Sequence, residues 1–127
     1  LKLASEMGRK QTDSVFVFDE PTACQDRHGI RLLSGIINAL SSEGKLVITI
    51  THDMEFVAEN FDRTVCMADK HILMDDKTNR ILTDDSLMEK AALKKPNVSY
   101  LASEMGFEGV ITSEAFLAAL TENSKRL

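Results

Sequence analysis

The residues best suited to chemistry lie in two short runs, VFVFDEPTACQD at 15–26 and VITITHD at 47–53. In the first, four apolar residues lead straight into Asp19 and Glu20. In the second, an apolar run ends in Thr51, His52 and Asp53. Successive strand residues face opposite ways, so the two adjacent carboxylates cannot aim at one atom. One can hold a cation while the other addresses a water beside it. Burying such a pair with nothing between the charges is costly. The exposed C-terminal edge of a sheet, where α/β folds bind ligands, tolerates it. A strand that merely runs into an acidic turn is written with the same letters, so the acids alone do not decide. His52 stands between a buried strand and Asp53, a placement that favours a functional histidine over a surface one. His28 and His71 have no such context and read as surface residues.

The elements that position these runs follow from periodicity. VFVF (15–18) is a short β-prone run, apolar on both faces, which suits a strand buried in a parallel sheet. Ile30, Leu33, Ile36, Ile37 and Leu40 recur at helical spacing from Arg27 to Ser42, and Gly44 is placed to close that helix. KLVITIT (45–51) is a second buried strand. Met54, Val57, Ala58 and Phe61 form another helical stripe. RTVCMA (63–68) reads as a third strand, and HILM (71–74) as a fourth, paired with RIL (80–82). An earlier helix is expected at Leu3, Ala4 and Met7. The alternation over 1–82 predicts an α/β fold with a mostly parallel sheet. After Thr83 only helices are expected: one capped by Asp84 or Asp85, one behind Pro96 ending at Gly106, and one capped by Thr112 or Ser113. A boundary is placed near residue 83. LASEMG occurs at both 3–8 and 101–106, but the flanks differ, and the match reads as coincidence.

The chain has 127 residues, 43% of them hydrophobic, with a formal net charge of −5. This is the composition of one soluble, compact domain. The acidic balance argues against a nucleic-acid surface, which needs clustered Lys and Arg. No apolar run reaches the ~20 residues of a membrane span. Cys24 and Cys66 lack metal-ligand spacing and read as reduced thiols of a cytosolic protein.

VFVFDEPTACQD followed by VITITHD resembles the Walker B, D-loop and H-loop series of ABC-type ATPases, with the same order of strand, DEPTA, one helix, strand and THD. NFDRTVCMADKHILMDD continues the pattern. LTDDSLMEKAALKKPNVSYLASEMG, then TSEAFLAAL, is similar to the tail of the cobalt and energy-coupling-factor importer ATPases. The resemblance covers nearly the whole chain. It implies a partial P-loop NTPase core over 1–82 and a helical accessory or dimerisation region over 83–127. It also implies that Asp19 holds Mg²⁺ through water, and that Glu20 is the general base that polarises the attacking water. His52 would contact the γ-phosphate, and Asp26 would be the D-loop acid that touches a second ATPase subunit. ATP and Mg²⁺ are the implied cofactors. The implied partners are that second subunit and transmembrane transporter subunits, and the implied location is the cytoplasmic face of the membrane. The implied work is import of a metal ion or vitamin.

The D-loop departs from the family at Cys24 and Gln25, where a small residue and Leu are usual. No G-x-x-x-x-G-K-[S/T] phosphate loop occurs, since Gly44-Lys45 is followed by Leu, and no LSGGQ-like signature occurs either. The chain therefore reads as the C-terminal half of such an ATPase, inactive by itself, in which VFVF and LVITIT pair while RTVCMA loses its neighbour. Two other readings stay open. One is a soluble ABC ATPase of DNA repair or translation; the other is a non-catalytic fragment that keeps only the pairing role of residues 84–127.

Overall fold

The computed structural model describes residues 14–125; the expected helix at Leu3–Met7 lies outside them. The chain divides between Ile50 and Thr51 into two compact units.

In the first unit, β1 (Val15–Asp19) pairs in parallel with β2 (Leu46–Ile50), and Asp19 lies opposite Ile50. Between them runs α1 (Arg27–Ser42), which packs on β2. Its buried residues Ile37 and Leu40 belong to the expected stripe, while Leu32, off the stripe, is exposed. α1 ends as a Schellman turn: the Gly44 N–H donates to the Ser41 carbonyl and the Lys45 N–H to that of Leu40. Gly44 sits at φ +76°, open to glycine without strain.

β1 and β2 are not buried on both faces as expected. Val15, Val17, Leu46, Ile48 and Ile50 stand exposed on one side, and only Phe18 of β1 is buried. Nor do the four strands form one mostly parallel sheet. They make two separate two-stranded sheets, β1–β2 parallel and β3–β4 antiparallel. The faces of a strand are hidden by layers packed above and below the sheet; α1 packs on β2, and the row of Val15, Val17, Leu46, Ile48 and Ile50 is left uncovered.

The second unit holds α2 (Met54–Asn60), β3 (Arg63–Ala68), β4 (His71–Lys77), α3 (Thr78–Leu82), α4 (Asp85–Lys90), α5 (Asn97–Glu104) and α6 (Ser113–Ser124). β3 turns into β4 through Asp69 and Lys70, at φ +49° and +66°. Two positive-φ residues at the centre of a two-residue loop match the right-handed twist of a hairpin. The register slips between Cys66 and Met67 and skips Leu73. β4 therefore pairs with β3, not with 80–82. That segment is the helical turn α3, packed against α2, α4, β3 and β4. In a strand, Ile81 and Leu82 would face opposite ways; one helical turn buries both, at 1% and 0% exposure. They join Met54, Val57, Cys66, Leu87 and Met88 in the core of this unit.

From residue 84 the described chain holds helices only. Asp84 caps α4 by accepting from the Leu87 N–H, and Thr112 caps α6 by accepting from that of Ala115. α5 closes like α1, with the Gly106 N–H on Ser103 and the Phe107 N–H on Ala102. On α5 Ala102 is buried, while Leu101 and Met105 are exposed.

Candidate functional site

The parallel pairing of β1 and β2 brings their C-terminal ends to the same edge. The Glu20 N–H extends the ladder by donating to the Ile50 carbonyl at 2.8 Å. The DEPTA turn therefore leaves that edge from β1, and Thr51-His52-Asp53 follows directly where β2 ends. Asp19 continues the exposed row of Val15 and Val17. Glu20 is half-buried, and its backbone has turned to φ +44°. A non-glycine residue in that region carries strain of order 1–3 kcal/mol. The turn is stitched by the Ala23 N–H on the Glu20 carbonyl and the Gln25 N–H on that of Thr22, and Cys24 is again left-handed at φ +59°. Leaving a strand this sharply within two residues is what swings Glu20 out of the line of Asp19.

Asp26, expected to reach a second subunit, caps its own helix here. Its Oδ1 accepts from the Gly29 N–H at 2.7 Å, and its carbonyl accepts from the Ile30 N–H. Gln25 folds over the same turn, where a Cβ at Gly29 would meet its Oε1.

The second unit opens on Thr51, and His52 behind it is exposed. Its backbone is bracketed. The Asp53 N–H donates to Thr51 Oγ1 at 3.1 Å, and Asp53 Oδ1 accepts from the Phe56 N–H at 3.0 Å. Asp53 is thus the N-cap of α2, a role signalled in sequence by an acid just ahead of a helical stripe. No such signal marks Glu55, whose Oε1 accepts from the Asn97 N–H across the unit at 2.7 Å.

Among the described residues no three His, Cys, Asp or Glu side chains gather as a metal cage. A lone exposed carboxylate such as Asp19 suits a different cation, one that keeps its waters and takes its other ligands from phosphates, as Mg²⁺ does. Elsewhere, the Arg63 guanidinium grips Asp75 with two hydrogen bonds and holds that carboxyl below its ordinary value. Burial pushes the Cys66 thiol up.

No family model matches the chain. It is 35% identical over 92 residues to a Streptococcus agalactiae protein named an ABC transporter ATP-binding protein, covering 72% of this chain and 16% of that one. It is 31% identical over 109 residues to the energy-coupling factor transporter ATP-binding protein EcfA2 of Mycoplasmopsis synoviae, covering 83% of this chain and 35% of that protein. For EcfA2 of Mycoplasma mobile the identity is 32% over 98 residues, covering 77% and 32%. The chain thus spans from one-sixth to about one-third of the relatives it matches. These alignments and the DEPTA–THD series agree: the chain is a member of the ABC-type ATPase family, matching one segment of these longer relatives.

Proposed function

We propose that this chain works as part of an ATP-hydrolysing subunit of an ABC-type importer. One observation supports this most directly: β1 and β2 run parallel and end together, DEPTA following β1 in the chain and THD following β2. In this reading residues 1–82 are the C-terminal part of a P-loop NTPase core, and 83–127 are a helical accessory region that helps pair subunits. Asp19 would hold Mg²⁺ through water, and the bound Mg–ATP would supply the phosphoryl group. Glu20, turned out of the strand, accepts a proton from the attacking water. His52, on its bracketed backbone, steadies the γ-phosphate and that water. Asp26 fixes the start of α1 and presents the D-loop to a second subunit. Phosphoryl transfer asks for this division of labour, which is positioning and charge stabilisation more than covalent chemistry.

The 127 residues hold no G-x-x-x-x-G-K-[S/T] phosphate cradle, so in this reading the chain alone binds ATP poorly and turns over none. Membrane partners carry the cargo, a metal ion or vitamin; no helix among the described residues is long and apolar enough to cross a membrane. The test is Glu20→Gln in the full-length ATPase that carries this segment. Nucleotide binding should survive, while turnover falls on the order of 10²- to 10⁴-fold, the usual worth of a general base. Undiminished turnover removes Glu20 from that role.

A further inference from the structure

The helix that follows His52 is tied to the C-terminal helices by a hydrogen bond spanning 42 residues of sequence, Asn97 N–H to Glu55 Oε1. α5 starts behind Pro96, which offers no side-chain acceptor, and it has no side-chain cap of its own. Glu55 supplies that acceptor from another helix. Pro96 is among the fully buried side chains, so the start of α5 is fixed to the core of its unit. Glu55 also lies in the first turn of α2. It therefore faces two helix N-termini, each of which favours a carboxylate. Directly ahead of that turn stands the Thr51–Asp53 bracket around His52, with the Val57 N–H on the Asp53 carbonyl completing it. His52 is mounted on the first turn of α2, and that turn is mounted on α5.

Resting on the ATPase reading above, we propose that Glu55 is a positioning residue for His52, through which the helical segment 84–125 reaches the imidazole. Moving α5 withdraws the Asn97 donor, and the first turn of α2 loosens together with the cap that sets His52. The coupling runs both ways, so an anion held at His52 steadies Asn97 in turn.

The bond can be cut from either end. Glu55→Ala removes the acceptor. Asn97→Pro removes only the donor, because the first helical position has no intrahelical use for its N–H. Pro96, at φ −52° and ψ 141°, already has the extended backbone that a following proline demands. Amide hydrogen exchange on this chain should show the Phe56 N–H exchanging about tenfold faster in each variant, the range set by losing a bond to a charged group. The double variant should be no faster than the singles, since both cut one bond. Glu55→Gln, which keeps an acceptor oxygen, should stay near the parent rate. Should Glu55→Ala fail to fold, Asn97→Pro alone decides. An unchanged Phe56 rate in Asn97→Pro, or additive effects in the double variant, overturns the proposal. In the full-length ATPase the same cuts should lower kcat several-fold with the KM for ATP unmoved; an unmoved kcat also overturns it. The two readings fail separately. Full turnover in Glu20→Gln ends the ATPase reading and leaves the exchange coupling standing, whereas unchanged Phe56 exchange ends the coupling and leaves the ATPase.

Discussion

Asp53→Ala removes the side-chain acceptor that caps α2, the Oδ1 that takes the Phe56 N–H at 3.0 Å. The Val57 N–H keeps its partner, the Asp53 carbonyl, so the helix loses a cap but not its first internal bond. An N-cap of this kind is worth ~1 kcal/mol, and the negative charge at the helix N-terminus adds ~0.5 kcal/mol. The sum is large for this position, because α2 carries Met54, Phe56 and Val57 into buried sites. With a urea dependence of ~1.5 kcal/mol per molar, the unfolding midpoint followed by circular dichroism should drop by about 1 M. Asp53→Asn is the control. It keeps an acceptor oxygen and loses the charge alone, so its midpoint should fall by only about 0.3 M. Equal midpoints for the two variants would mean that the hydrogen bond contributes nothing, and the account of how the His52 backbone is held would be wrong.

Glycine and cysteine positions carry further outcomes. Gly35→Ala should raise the melting temperature, by ~0.5–1 kcal/mol of stability, because a Cβ in mid-helix meets nothing within 4 Å. Gly44→Ala has the same open space but sits at φ +76°, and should cost ~1–2 kcal/mol; shifts of the same sign would refute the backbone argument. Cys24 is exposed and Cys66 buried, so a thiol reagent should label Cys24 at once and Cys66 only on unfolding. Because burial raises the folded Cys66 thiol above its ordinary 9.0, its share of stability is complete below that value. It drains away as pH climbs through the raised one, so urea midpoints should drop on the alkaline side, and drop less in Cys66→Ala.

What the sequence disclosed was mostly local. The Ile30–Leu40 stripe and Gly44 delimit α1 because a helix is written in its own spacing and its own stop residue. Asp84, Pro96, Gly106 and Thr112 mark the later helices for the same reason. Pairing was harder to read. RIL at 80–82 looks like a strand by composition, and only the contact of α3 with four neighbouring elements makes a helical turn the better burial. The β-face exposure was likewise hidden, since VFVF reads identically whether one flank or two are covered. For the site, the acid pair and the histidine stood out by type and setting. The left-handed turn at Glu20 and the bond from Asn97 to Glu55 did not, because neither a backbone twist nor a partner 42 residues away leaves a mark in the letters.

The outer side of β1–β2 sets five aliphatic groups, Val15, Val17, Leu46, Ile48 and Ile50, shoulder to shoulder in water. Among the described residues, each of these strands also has one edge without a ladder partner. A wall of that kind behaves like a patch of oil on an otherwise acidic particle. Droplets, plastic, air bubbles and hydrophobic dyes will find it first, and the handling of this polypeptide in a test tube will be governed by that surface more than by its net charge.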